Sequence, residues 1–273
     1  MTTAERHGGR SRLRTLVAPL ILALACLLVY NANLRQIGAL DTLPARYLPL
    51  LLWNGGTLEL GDHARLFAHG HPMAYPRFRP ANDQGRAAYL EPSAYWLIRT
   101  NSNQLASFYP VVAPLLVAPL YLPAALWLDD RGWVQPHLDR VAELMEKLAA
   151  SLVAALASVF VFIMLRREGN RWCLPLAFAF AFGTNTWMIS SQALWQHGTG
   201  ELLIAMGMLL VLAPASAART ALLGAVCVLV AANRPPDALI AAAFGFFAMW
   251  RDWRDARWLL AGAAHPMAAR RCY

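Results

Sequence analysis

The chain has 273 residues, 58% of them hydrophobic and 15% charged, against about a quarter charged in an ordinary soluble domain. Its apolar residues run in unbroken blocks close to the roughly 20 residues that cross a bilayer core, which excludes a soluble globule and predicts helical spans. The formal net charge of +8 comes from arginines clustered beside those blocks with no aromatic-basic stripe, so it points to anionic head groups and away from nucleic acid.

Ala, Leu, Val, Phe and Met recur within the blocks without polar alternation, which suits helices and not the strands of an outer-membrane barrel. Cys26, Cys173 and Cys227 lie in apolar blocks and Cys272 in the tail. They lack CxxC or His-Cys spacing and read as packing residues.

Arg6, Arg10, Arg12 and Arg14 precede the first apolar block, Leu16 to Tyr30. No small-residue cleavage site closes that block, so it is expected to be an uncleaved span with residues 1–14 in the cytoplasm. Residues 31–109, rich in Pro, Tyr, Trp and His, are expected outside. The next block, Pro110 to Leu128, has the length of a span, but Pro110, Pro114, Pro119 and Pro123 remove backbone donors at nearly every turn. Were it to cross, the arginines at 166, 167 and 171 would fall outside, against the positive-inside tendency. It is therefore expected to lie in the outer interface or to dip in and return, within an external loop spanning about residues 31–147.

On that basis Leu148 to Leu165 descends, Trp172 to Ser190 ascends, and Glu201 to Leu212 descends again. Thr220 to Ala232 rises, Asn233 to Asp237 breaks the helix outside, and Ala238 to Trp250 returns to a cytoplasmic cluster containing Arg251, Arg254 and Arg257. A further apolar block opens at Trp258, and residues 263–273 read as a non-membrane tail of a truncated or frameshifted product. The expected fold class is thus all-α: a polytopic helical membrane protein with about six to seven spans and a large external loop carrying interfacial helices.

Asp41 follows the first span closely. A carboxylate at the mouth of a helical bundle can take a proton from an acceptor hydroxyl or hold a divalent cation, and Arg35 or Arg46 can neutralise a phosphate nearby. The alternative is that Asp41 caps an interfacial helix starting at Thr42, with Pro44 in its first turn and Leu48 to Trp53 facing lipid. Arg234 stands at an external helix break, where a phosphate or Asp237 would pair with it. His63, His69 and His71 lack a third ligand at metal-site spacing and read as solvated loop residues. The outer tryptophans and tyrosines read mainly as interfacial anchors.

Three stretches, DTLPARYLP from Asp41, SFYPVVAPLLVAPLYLP from Ser107 and LWQHGTGE from Leu194, resemble bacterial membrane glycosyltransferases of the C-type (GT-C) fold. This polyprenyl-phosphate-sugar-dependent superfamily includes protein mannosyltransferases and the aminoarabinose transferase of lipid A. The resemblance covers residues 15–262. It implies interfacial helices in the first external loop, and an acidic catalytic base or metal-associated residue there, which maps onto Asp41. It also implies a second acidic position in a later external loop, for which Glu201 with His197 is the nearest match, although no Asp-x-Asp pair stands there. The implied partners are a polyprenyl-phosphate sugar, membrane lipid and a glycan, lipid or protein acceptor, with a divalent cation as the one cofactor the resemblance allows. A transporter or flippase, or a non-catalytic membrane protein, is the rival class.

Overall fold

The computed structural model describes residues 3–33, 35–60, 75–76, 96–99, 105–214, 216–251 and 256–268. Helix dominates, so the all-α class holds. The helices are α1 (Thr3–Tyr30), α2 (Leu43–Gly55), α3 (Val112–Arg131), α4 (Gln135–Arg167), α5 (Cys173–Gly183), α6 (Gln196–Leu212), α7 (Ala217–Asn233), α8 (Ala238–Arg251) and α9 (Ala256–Ala268). Among the described residues, the runs Val112–Arg131 and Pro136–Arg167 are long and apolar enough to cross a membrane. The chain divides into two compact units, residues 36–149 and residues 1–35 with 150–273, and the division falls inside α4.

In the unit of residues 36–149, α2 packs along α3, and Trp53 Nε1 donates to the Ala118 carbonyl at 2.7 Å. Leu48, Leu50 and Leu51 are buried. The expected lipid face from Leu48 to Trp53 is therefore corrected: within that run the buried leucines form core, and Trp53 is the large exposed side chain. Of the two forms expected for the block from Pro110, the dip and return is corrected, because α3 is one unbroken helix. Pro114 sits in its first turn, where the missing N–H has no intrahelical partner to lose. Pro119 and Pro123 each remove one interior bond, which an otherwise apolar 20-residue helix survives. Three short strands were not expected: β1 (Tyr75–Pro76), β2 (Leu97–Arg99) and β3 (Leu105–Ser107). They form a sheet in the order β1-β2-β3, with β1 parallel and β3 antiparallel to β2.

In the other unit, Leu22, Cys26 and Tyr30 of α1 pack with Ala154, Ala155 and Phe162 of α4 and with Ala177 and Ala181 of α5. The phenol of Tyr30 donates to the Ala181 carbonyl at 2.9 Å, so the C-terminal ends of α1 and α5 lie together. Ser151 Oγ contacts both Asn31 Oδ1 (3.2 Å) and the Ser191 carbonyl (3.3 Å). Asn233 Nδ2 donates to the Gln196 carbonyl at 2.8 Å. These bonds gather one set of helix ends. Helix directions then send Arg166, Arg167, Arg171 and Arg219 to the opposite end, where Arg251 Nη1 donates to the Val211 carbonyl at 3.0 Å.

Helices α7 and α9 touch backbone to backbone. A Cβ on Gly224 would collide with the Leu259 carbonyl, and one on Gly262 with the Ala221 carbonyl. Residues 263–268, expected as tail, continue α9. Gly262→Val should force α9 off α7 and cost about 1–3 kcal/mol, the usual range for overpacking. Gly245→Ala, whose new methyl would lie 3.7 Å from Leu259 Cδ2, should be tolerated. Thermal unfolding of the two variants in the same detergent checks the contrast, and equal melting of both would contradict the close approach.

Candidate functional site

The richest polar cluster lies in the unit of residues 1–35 and 150–273, around the N-terminus of α6. Helix α5 stops at Gly183 because Thr184 turns to extended backbone, φ −124° and ψ −176°, and its hydroxyl bonds back to the Phe180 carbonyl at 2.7 Å. The ascending span expected to reach Ser190 is thus interrupted. Thr186 to Ser190 form a single π-helical turn closed by Ser191 N–H on the Thr186 carbonyl at 2.9 Å. Such turns tend to occur where side chains must be re-aimed.

This turn presents two hydroxyls to Glu201. Thr186 Oγ1 donates to Oε2 at 3.0 Å and Ser190 Oγ to Oε1 at 2.9 Å, so each carboxylate oxygen accepts one bond and keeps a second lone pair. The approach depends on Gly198, where an added Cβ would stand 3.1 Å from Ser190 Cβ and from its carbonyl oxygen. The break after α7 packs against the same turn, where a Cβ on Gly200 would lie at ordinary contact distance, 3.5 Å, from both Asn233 Nδ2 and Asp237 Oδ2.

Asn233 ends α7, and its amide nitrogen is taken by Gln196. Asn233 Oδ1 and Thr199 Oγ1 are buried and have no hydrogen-bond partner among the described residues. Buried polar groups normally find partners, so two unmet ones in one cluster mark capacity for a water or a ligand. Arg234 leaves α7 in extended backbone, and its Nη1 lies a long 3.5 Å from Asp237 Oδ1. His197 is in the first turn of α6. The α6 N-terminus adds unsatisfied N–H groups, because its N-cap, Trp195, makes no side-chain cap and no acid stands in the first turn.

The other expected residues lie elsewhere. Arg35 is exposed just beyond α1. Asp41 sits in a 3-10 turn, Leu40–Thr42, while the N-cap positions of that turn and of α2 belong to Ala39 and Thr42. The capping alternative is therefore corrected. Burial first, and then the charge and hydrogen bond of Asp41, push the Tyr109 phenol up to about 12, so Asp41 accepts from Tyr109 within its own unit.

Arg46 is buried with a different partner from the phosphate expected for it. Its Nε lies 2.6 Å from Glu146 Oε2 and its Nη1 3.4 Å from Glu143 Oε1. Tyr47 alongside donates to Asp139 at 2.7 Å. The pair ties α2 to the first turns of α4. His63, His69 and His71 lie outside the described residues. Among the described residues, no three His, Cys, Asp or Glu side chains gather at metal-binding range.

Comparison with protein-family models, with curated proteins and with solved structures found no match.

Thr186, Ser190, Thr199 and Asn233 were not singled out by sequence reasoning. The usable signals were the paired glycines of HGTGE and the hydroxyls spaced through TNTWMISS, both flanking a helix start. Removing one member of the buried Arg46–Glu146 pair should cost about 3–5 kcal/mol, because it strands the other charge. Glu146→Leu alone should therefore unfold at markedly lower temperature, and the double variant Arg46→Met with Glu146→Leu should regain most of the loss. A single variant that melts like the parent would remove the pair from the stabilising contacts.

Proposed function

We propose that the chain is a multi-pass inner-membrane protein with a cytoplasmic N-terminus, and that it transfers a sugar from a polyprenyl-phosphate donor to an acceptor on the external face. Support for the orientation comes from the sorting of charge. Arg166, Arg167, Arg171, Arg219 and Arg251 belong to one end of the helices of their unit, and Arg234 belongs to the other. Positive residues concentrate on the cytoplasmic side, so the end holding Arg234 faces out. The crossings are then the apolar part of α1, the C-terminal half of α4, α5 with its π turn, α6, α7 and α8.

The observation that carries the enzymatic reading is Arg234 beside the α6 N-terminus, next to buried groups with open hydrogen-bonding capacity. A helix N-terminus and an arginine together favour a phosphate. In direct displacement, the acceptor oxygen attacks the anomeric carbon as the bond from that carbon to the phosphate oxygen breaks, and the departing polyprenyl phosphate gains negative charge. Donors fixed in advance stabilise that charge most in the transition state. Asn233 Oδ1 and Thr199 Oγ1 suit sugar hydroxyls. The acceptor proton goes to a carboxylate, the part assigned to Asp41 by the resemblance alone.

The interruptions at Thr184–Ser190 and Arg234–Asp237 would also suit a transporter, whose half-helices aim N-termini at anionic cargo. Purified protein incubated with a panel of radiolabelled polyprenyl-phosphate hexoses and pentoses separates the two, since the enzyme releases polyprenyl phosphate and labels an acceptor. Arg234→Ala should cut release by about tenfold or more, the weight of one charge-assisted contact. Asp41→Asn should abolish transfer while leaving insertion intact. Folded, lipid-embedded protein that releases no polyprenyl phosphate from any donor would overturn the proposal.

A further inference from the structure

A second cavity lies in the unit of residues 36–149, in the hairpin between α3 and α4. Gly132, at φ +94°, turns the chain so that the end of α3 meets the start of α4. The space between them, about 590 Å³, is lined chiefly by Trp127, His137, Arg140, Val141, Leu144 and Met145. The α4 members follow helical spacing and share one face. They are also sorted by depth: His137 and Arg140 stand toward the helix start, and Leu144 and Met145 about one turn further in.

Arg140 is the charged member, and it makes no hydrogen bond or ion pair with any described residue. The carboxylates nearest it in sequence are engaged elsewhere. Asp139 accepts from Tyr47 at 2.7 Å, and Glu143 lies 3.4 Å from Arg46. The mouth of the cavity therefore carries an uncompensated positive charge. Trp127 forms one wall, its ring edge-on to His137 at 5.4 Å. Outside the cavity the surface is apolar, with Leu120, Leu126 and Leu148 all exposed. Helix α3, which supplies much of that surface, is one of the two runs apolar and long enough to cross a membrane.

We propose that this cavity holds an anionic glycerophospholipid, with its phosphate on Arg140 and the upper part of an acyl chain along Leu144 and Met145. A cation above an apolar floor, beside an interfacial tryptophan, is complementary to that amphiphile and to no simple ion. The volume falls in the range of sites for small organic ligands, about 300–1,000 Å³. The proposal requires only that α3 contact lipid, and it is independent of glycosyl transfer and of Arg234.

Native mass spectrometry of the full chain in detergent, titrated with dioleoyl phosphatidylglycerol or dioleoyl phosphatidylcholine, tests it. One phosphatidylglycerol should bind in preference to phosphatidylcholine. Arg140→Ala should weaken it by about tenfold or more, the weight of a charge-assisted contact. Arg140→Lys should keep most of the binding, and Arg131→Ala should keep all of it, since Arg131 is exposed and paired with Asp130 at 3.2 Å. Equal uptake of both lipids, or unchanged uptake by Arg140→Ala, would overturn the proposal. So would displacement of the lipid by millimolar inorganic phosphate, which would identify a free-anion site.

Discussion

The bond from Asn233 Nδ2 to the Gln196 carbonyl fixes more of this molecule than its length of 2.8 Å suggests. It holds the last residue of α7 against the first residue of α6, and so sets which ends of those two helices lie together. Arg234 follows immediately and is carried with it. Combined with the contacts of Ser151 to Asn31 and Ser191, it settles the directions of the helices in this unit without reference to any membrane. The arginines of this unit are thereby sorted, with Arg166, Arg167, Arg171, Arg219 and Arg251 at one end and Arg35 and Arg234 at the other.

The two units handle buried charge in opposite ways. In residues 36–149, Arg46 is neutralised by Glu146, which is 0% exposed, and by the partly exposed Glu143. A guanidinium already holding a carboxylate at 2.6 Å would have to give up a charge-assisted bond before taking a phosphate. In the other unit, Arg234 has one carboxylate at 3.5 Å and a side chain 34% exposed, so it retains donors for something else. The distinction between an arginine that fastens a fold and one that remains open is set by geometry, since both were named for the same role from sequence position.

Much of the helical order was legible because apolar blocks bounded by arginine, asparagine or proline coincide with helix ends. Ala238 to Trp250 became Ala238–Arg251, and the break from Asn233 to Asp237 stands where Pro235 and Pro236 place it. What was not legible depended on partners remote in sequence. Leu48, Leu50 and Leu51 read as a lipid face because a helix covered by α3 and one covered by lipid have the same composition. The proline block admitted a dip and return because each proline removes a donor, yet a helix loses little when the losses are spaced and its flank is packed. Helix α4 exceeded its apolar block because its first turns, polar in sequence, are held by Arg46 and Tyr47. Of the candidate site, Arg234 and Asp237 were marked by the helix break, and His197 and Glu201 by the resemblance alone. The hydroxyls of Thr186 and Ser190 were missed: their spacing through TNTWMISS was the one signal, and their contact with Glu201 arises from a π turn that no local propensity announces.

Both polar features of the described helices at the Arg234 end follow from helices that stop early. An α-helix that crosses in full satisfies its own backbone and leaves nothing to offer a ligand. Helix α5 ends after 11 residues and α7 ends at Asn233, and the chain between these stops and the next starts supplies hydroxyls, an amide and a guanidinium at the N-terminus of α6. Gly198 is then required by close approach, because a side chain there would press on Ser190. The glycine, the interrupted helices and the unmet polar atoms thus express one constraint: polar groups gather where regular helix gives out, and a small residue lets them come within reach of one another.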